Sequence, residues 1–268
     1  MSELNSSEAL IISGETKKGI FTLDNQKINC IGDNAEIIHT GNNVKIYDNE
    51  GNTYYPDKNY TKNTGNGSFF VATGENSFIE ASSGSVSFTS GKGAEVYVPY
   101  VYSDDDDDDE LLLKDALLIA TGDESFAYPG GQNSLGIVTG ENSNIFDLGC
   151  GSIGISTGNN TAVGSEGPFK KAVILGDNSS IGGRDSTEFT AFSGGLQTYA
   201  DIGPQSSLLS EFPVKHVSAG TGSVIVTGWH DGTRKRYSVY YEGVDFEAGK
   251  KYMTNELGEL HPYQKPEN

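Results

Sequence analysis

Glycine recurs at Gly122, Gly131, Gly140, Gly149, Gly158, Gly167 and Gly176, every ninth residue; Asp185 takes the next place, and Gly194 and Gly203 resume the series. A short period held this long requires one structural unit stacked on copies of itself. At twice the period an alternating triplet returns as Leu117-Ile119-Thr121, Leu135-Ile137-Thr139 and Ile153-Ile155-Thr157, and continues as Lys171-Val173-Leu175 and Phe189-Ala191-Ser193. A smaller set lies between: Ser125-Ala127, Ser143-Ile145, Thr161-Val163 and Ser179-Ile181. Alternation within each set is the strand period, and the return at 18 residues places equivalent side chains above one another. The pattern predicts an all-β fold, a β-solenoid of about 18 residues per coil in two nine-residue halves. In this reading glycine supplies positive φ at two corners per coil. The Leu, Ile and Thr columns point inward, against smaller residues from the other half, so the cross-section is flattened.

Taken in order, residues 1–30 fall outside the repeat and read as an N-terminal cap, with strands at Ala9-Ile12 and Ile20-Leu23. The solenoid is expected over 31–203. Its early copies are Ile38-Thr40-Gly41, Phe69-Val71-Thr73-Gly74 and Val86-Phe88-Ser90-Gly91, with a turn over 48–52 and a loop over 54–60. An insertion over 99–116 carries Asp104, Asp105, Asp106, Asp107, Asp108, Asp109 and Glu110 in one run. Such a run repels itself and stays solvated. Calcium loops alternate their ligands and turn on glycine, so this run lacks that spacing. Pro204 and Pro213 mark a linker over 204–216, and residues 217–268 read as an antiparallel cap turning at Asp231-Gly232.

The net charge of −19 argues against a nucleic-acid-binding surface, which needs a basic face. It suits solubility, a basic protein partner, or mimicry of a polyanion. Two cysteines, Cys30 and Cys150, read as free thiols in a reducing compartment. With neither a signal-peptide pattern nor an apolar run of membrane-spanning length, the expectation is a cytoplasmic chain, with signal-less export left open.

The coils, as in Ser152-Ile153-Gly154-Ile155-Ser156-Thr157-Gly158-Asn159-Asn160-Thr161-Ala162, resemble the repetitive solenoid proteins of bacterial and phage genomes. The ending resembles the closing segment of some of these, through Gly222-Ser223, Ile225-Val226, Trp229-His230-Asp231-Gly232, Arg234, Arg236, Val239-Tyr240-Tyr241 and Gly249-Lys250-Lys251-Tyr252. The resemblance implies the architecture and carries no activity.

No catalytic constellation is legible. Asp123, Glu141 and Asp177 each follow a corner glycine, with Asn159 in the fourth such place, which predicts a solvated acidic ridge. Asp147, Glu166 and Asp185 are isolated. The four histidines, His39, His216, His230 and His261, lack metal-ligand spacing, and no cofactor or metal is expected. Cys150 occupies a corner and reads as structural. An outward threonine rank, as an ice-binding face needs, is excluded because Thr121, Thr139 and Thr157 share the phase of the inward aliphatics. The expectation is a non-catalytic structural or interaction protein, binding a protein partner through Asp104–Glu110 and the ridge of Asp123, Glu141 and Asp177. The alternatives are a polyanion mimic that inhibits a basic partner and a carbohydrate-active solenoid enzyme.

Overall fold

The computed structural model describes residues 10–13, 18–25, 27–31, 36–41, 45–47, 67–81, 83–98, 114–146, 148–164, 168, 170–183 and 185–264. The turn expected over 48–52, the loop over 54–60 and the acidic run over 104–110 lie outside them. The described residues are strands and turns, and the chain alternates between two long sheets. A 13-stranded sheet runs from Leu10–Ser13 to Leu260–Pro262, and a 12-stranded sheet runs from Lys18–Phe21 to Lys235–Tyr241. As far as His230, neighbouring strands are parallel and in register: Leu117 stands beside Leu135, Leu135 beside Ile153, and Ile153 beside Lys171. The fold is therefore a β-solenoid of about 18 residues per turn, as the glycine period requires.

The stack is longer than the clean repeat. Leu10–Ser13 and Lys18–Phe21 pair in parallel with Lys27–Ile31 and Glu36–His39, so the segment expected as a separate N-terminal cap already belongs to the coils. Ser207–Ser210 pairs in parallel with Thr190–Ser193 and then with Val224–Thr227, which carries the stack through the expected linker over 204–216.

The inward side of the wide face is the reverse of the expected one. Leu118, Ala120, Val138 and Ile174 are fully buried, whereas Ile119, Ile137 and Ile155 are half-buried on the outer surface. The inward column of the 12-stranded sheet includes Leu118, Gly136, Gly154 and Ala172, and the 13-stranded sheet answers with Ile145, Val163 and Ile181. The two columns are complementary in size. A Cβ on Gly154 would come within 2.8 Å of Val163 Cγ1, and one on Gly136 within 3.4 Å of Ile145 Cγ2. A flattened coil holds one layer of large side chains between its sheets, so small residues face the interior wherever large ones oppose them. The smaller set, Ala127, Ile145, Val163 and Ile181, points inward as expected.

The corners also work differently from expectation. Gly122, Gly140, Gly158 and Gly176 stack in one column, and a Cβ on each would overlap the backbone carbonyl of the glycine one coil earlier. Glycine is required here by close approach of stacked backbone. Positive φ falls two residues later, at Glu124, Asn142, Asn160 and Asn178, with φ of 57°, 56°, 55° and 54°. Asparagine tolerates that left-handed conformation better than most side chains. Buried serines complete the turn. Ser143 Oγ accepts the Ser125 N–H at 3.0 Å and donates to the Gly122 carbonyl at 3.0 Å; Ser152 Oγ does the same for the Ser134 N–H and the Gly131 carbonyl. These bonds satisfy corner groups that the strand ladders leave unpaired.

At the C-terminal end the direction changes. Lys235–Tyr241 runs antiparallel to Val224–His230, and Lys251–Thr254 antiparallel to His216–Ala219. The turn is made by Asp231, whose Oδ1 accepts from the Thr233 and Arg234 N–H groups at 2.9 Å each, while Arg236 Nε donates to Oδ2 at 2.5 Å. These bonds hold the Asp231 carboxyl well below the usual carboxylate range, the Thr233 hydroxyl foremost. Trp229 Nε1 donates to Ser238 Oγ at 3.1 Å, and its ring lies against the turn at Gly258, whose carbonyl accepts from the Tyr240 hydroxyl. An antiparallel last strand ends with hydrogen-bonding groups out of phase with a parallel coil, which disfavours continuation of the stack by a second molecule. Removing residues 231–268 leaves the parallel edge at Val224–His230 open. The truncated chain is expected to form end-to-end oligomers on size-exclusion chromatography; a monomer of unchanged melting temperature would show that the edge needs no cover.

Candidate functional site

The structure gathers three of the sequence-identified acids. Asp123, Glu141 and Asp177 lie exposed on one corner, together with Asn159. Two of these carboxylates are engaged by the backbone of the next coil: Asp123 Oδ1 accepts the Glu141 N–H at 2.9 Å, and Asp177 Oδ1 accepts the Leu196 N–H at 2.7 Å. Asn159 does the same for the Asp177 N–H at 2.9 Å. The ridge thus serves as a ladder of corner acceptors, and an asparagine replaces an aspartate in it because the bond needs an acceptor rather than a charge. Lys92, near Asp123, pairs with Glu124 at 3.1 Å, a hydrogen bond that raises its pKa. Asp104 to Glu110 lie outside the described residues.

No convergence of three or more His, Cys, Asp or Glu side chains occurs among the described residues. Cys150 is a free, partly buried thiol at a corner. His39 points into the core, where its Nδ1 accepts the Gly41 N–H at 2.9 Å. Burial pushes its pKa below the ordinary 6.5, and Asp24 only partly offsets this. His216 lies between the rings of Tyr199 and Tyr263; burial lowers its pKa, Lys251 adds to the shift and Asp201 opposes it. The unfolded chain takes up these protons near pH 6.5 while the folded chain resists them. Stability is thus fully present above that pH and is lost as pH falls toward the folded values. Melting temperature is expected to fall on acidification below about pH 6.5, and less steeply in His39→Asn, which keeps an acceptor near the Nδ1 position. A flat profile between pH 7 and pH 5 would remove the histidines from the acid response.

The most extensive surface feature among the described residues was missed by the inward assignment. On the outer side of the 12-stranded sheet one column runs Ile20, Ile38, Val71, Phe88, Ile119, Ile137, Ile155, Val173, Phe192, Leu209, Val226 and Val239. Every strand of the sheet contributes an apolar residue. A second column beside it holds Phe69, Val86, Leu117, Leu135 and Ile153 through the middle coils. On the other flank Thr40, Thr73, Ser90, Thr121, Thr139 and Thr157 follow one another along the backbone ladder. This rank faces outward, so the parity on which an ice-binding face was excluded is the wrong one. The opposite sheet differs: its outer surface carries a cluster of Tyr97, Phe126, Tyr128 and Phe146, with Glu95, Asn144 and Asp201 in the same columns. The signal for the apolar column was in the sequence as the strongest term of the triplet. Hydrophobicity alone assigned it to the core.

Comparison with family models, curated proteins and solved structures finds no match.

Proposed function

We propose that this protein is a non-catalytic interaction protein, a rigid two-sheet rod that docks through an outer sheet face. The observation that carries this reading is the apolar column contributed by all strands of the 12-stranded sheet. A continuous apolar strip along a surface is the mark of an interaction site. The hydrogen-bonded parallel coils hold it in place, so docking incurs little ordering entropy. The acidic ridge is a weaker candidate for partner binding, because carboxylates that cap the next coil are partly committed to the fold. The same commitment reduces the support for polyanion mimicry. The test is capture from an extract of the native source by the wild-type chain and by Ile119→Lys. A stoichiometric companion retained by the first and lost by the second supports the reading. Equal capture, or a chain that neither captures a companion nor associates with itself, overturns it.

A second reading is favoured by the outward hydroxyl rank from Thr40 to Thr157, in register beside an aliphatic column. Regularly spaced hydroxyls and methyls on a flat face can order water as an ice surface does. Thermal hysteresis measured on the purified chain, and abolished by Thr139→Lys, would support it; freezing without hysteresis would remove it.

A further inference from the structure

Resting on the interaction reading, we infer that the occupant of the 12-stranded sheet's outer face is a second copy of this chain, paired across a two-fold axis. Three observations on the face select this partner. The first is length and period. Twelve residues spaced about 4.8 Å apart make a seam about 53 Å long. A second copy of this face matches that length and period over the whole seam. The second is charge. The three outer columns hold Lys18, Glu36, Lys171 and Glu211, so they balance on a chain of net charge −19. Three of these are already paired: Lys18 with Glu36 at 2.7 Å, and Glu211 with Lys235. The three columns therefore add no net repulsion of their own to a contact between two copies. The third is area. Three columns span about 14 Å, so two faces meeting bury on the order of 1,500 Å², within the standard range for a specific interface.

The order of side chains fits a two-fold axis lying along the strands at the middle of the column. In that arrangement Ile137 of one copy meets Ile155 of the other, Phe88 meets Phe192, and Val71 meets Leu209. In the flanking columns Lys171 faces Leu117, Glu211 faces Thr73 and Glu36 faces Val224, so no like charges oppose. Each contact then occurs twice, as an isologous interface demands.

Sedimentation equilibrium of the purified full-length chain over about a hundredfold concentration range tests the inference. The wild type is expected to be a dimer. Ile137→Lys places a cation near the axis in both copies and should raise the dissociation constant by at least roughly thirtyfold. Ser180→Lys, on the outer surface of the other sheet, should leave the dimer unchanged. Circular dichroism melts of each variant show whether the coils remain folded, and Val173→Lys substitutes if Ile137→Lys does not. A wild type that is monomeric throughout, a dimer indifferent to both substitutions, or an open ladder of higher oligomers overturns the pairing. A monomer that still retains a companion through Ile119 leaves the interaction reading intact and removes only the second copy as occupant.

Discussion

Replacing Ile145 by aspartate is expected to unfold the coils around it, at a cost of at least about 4 kcal/mol, whereas Ile155→Asp should cost about 1 kcal/mol. Both residues are isoleucines in repeating strand positions, ten residues apart in the chain. Ile145 is fully buried between Phe126–Pro129 and Ala162–Gly164, facing the opposite sheet across the thin core. A carboxylate there loses its water and gains no partner, and the parallel coils on either side cannot separate to admit solvent. Ile155 faces outward, so in a single copy, melted at concentrations too low for pairing, an aspartate there keeps its hydration and forfeits only contacts with Ile137 and Val173 in its column. Thermal denaturation by circular dichroism separates the two. Equal losses would mean that both sides of the wide face are packed. A larger loss at Ile155 would reverse the inward assignment.

Gly140→Ala is expected to destabilise by about 3 kcal/mol, more than a surface methyl group would ordinarily cost. The added Cβ would overlap the carbonyl of Gly122, and Gly158 stands in the same relation to Gly140, so the clash is with backbone on a fixed stacking distance. No flexible side chain is there to give way. Asn142→Ala, two residues on, should cost only about 1 kcal/mol, because φ of 56° strains an alanine without a collision. Urea or thermal melts of the two variants give the comparison. If Asn142→Ala were the more damaging, the corner would be limited by its left-handed residue rather than by the close approach of its backbone.

The acidic corner was legible as a column, since Asp123, Glu141, Asn159 and Asp177 share one place in the repeat. Its use as a ladder of backbone acceptors was not, because that depends on which N–H group the next coil presents at 2.9 Å. The apolar seam was legible as a pattern and was assigned to the wrong side. Its end-to-end continuity rests on Ile20, Leu209, Val226 and Val239, which lie outside the solenoid expected over 31–203 and align with it only through strand pairing.

By itself the sequence determined the solenoid, its length of turn and the antiparallel close of the stack. A strict period and an Asp231-Gly232 turn are local facts, and stacking identical units is the only way to pair their strands. Which side of each strand faces inward was decided by the tertiary structure alone. Alternation specifies two sides and does not label them. The label depends on the space between the sheets, where Ile145 and Val163 fill a layer that leaves room only for Gly136 and Gly154 across from them. The larger Leu and Ile residues are thereby turned to the surface, and with them the face on which the proposed function rests.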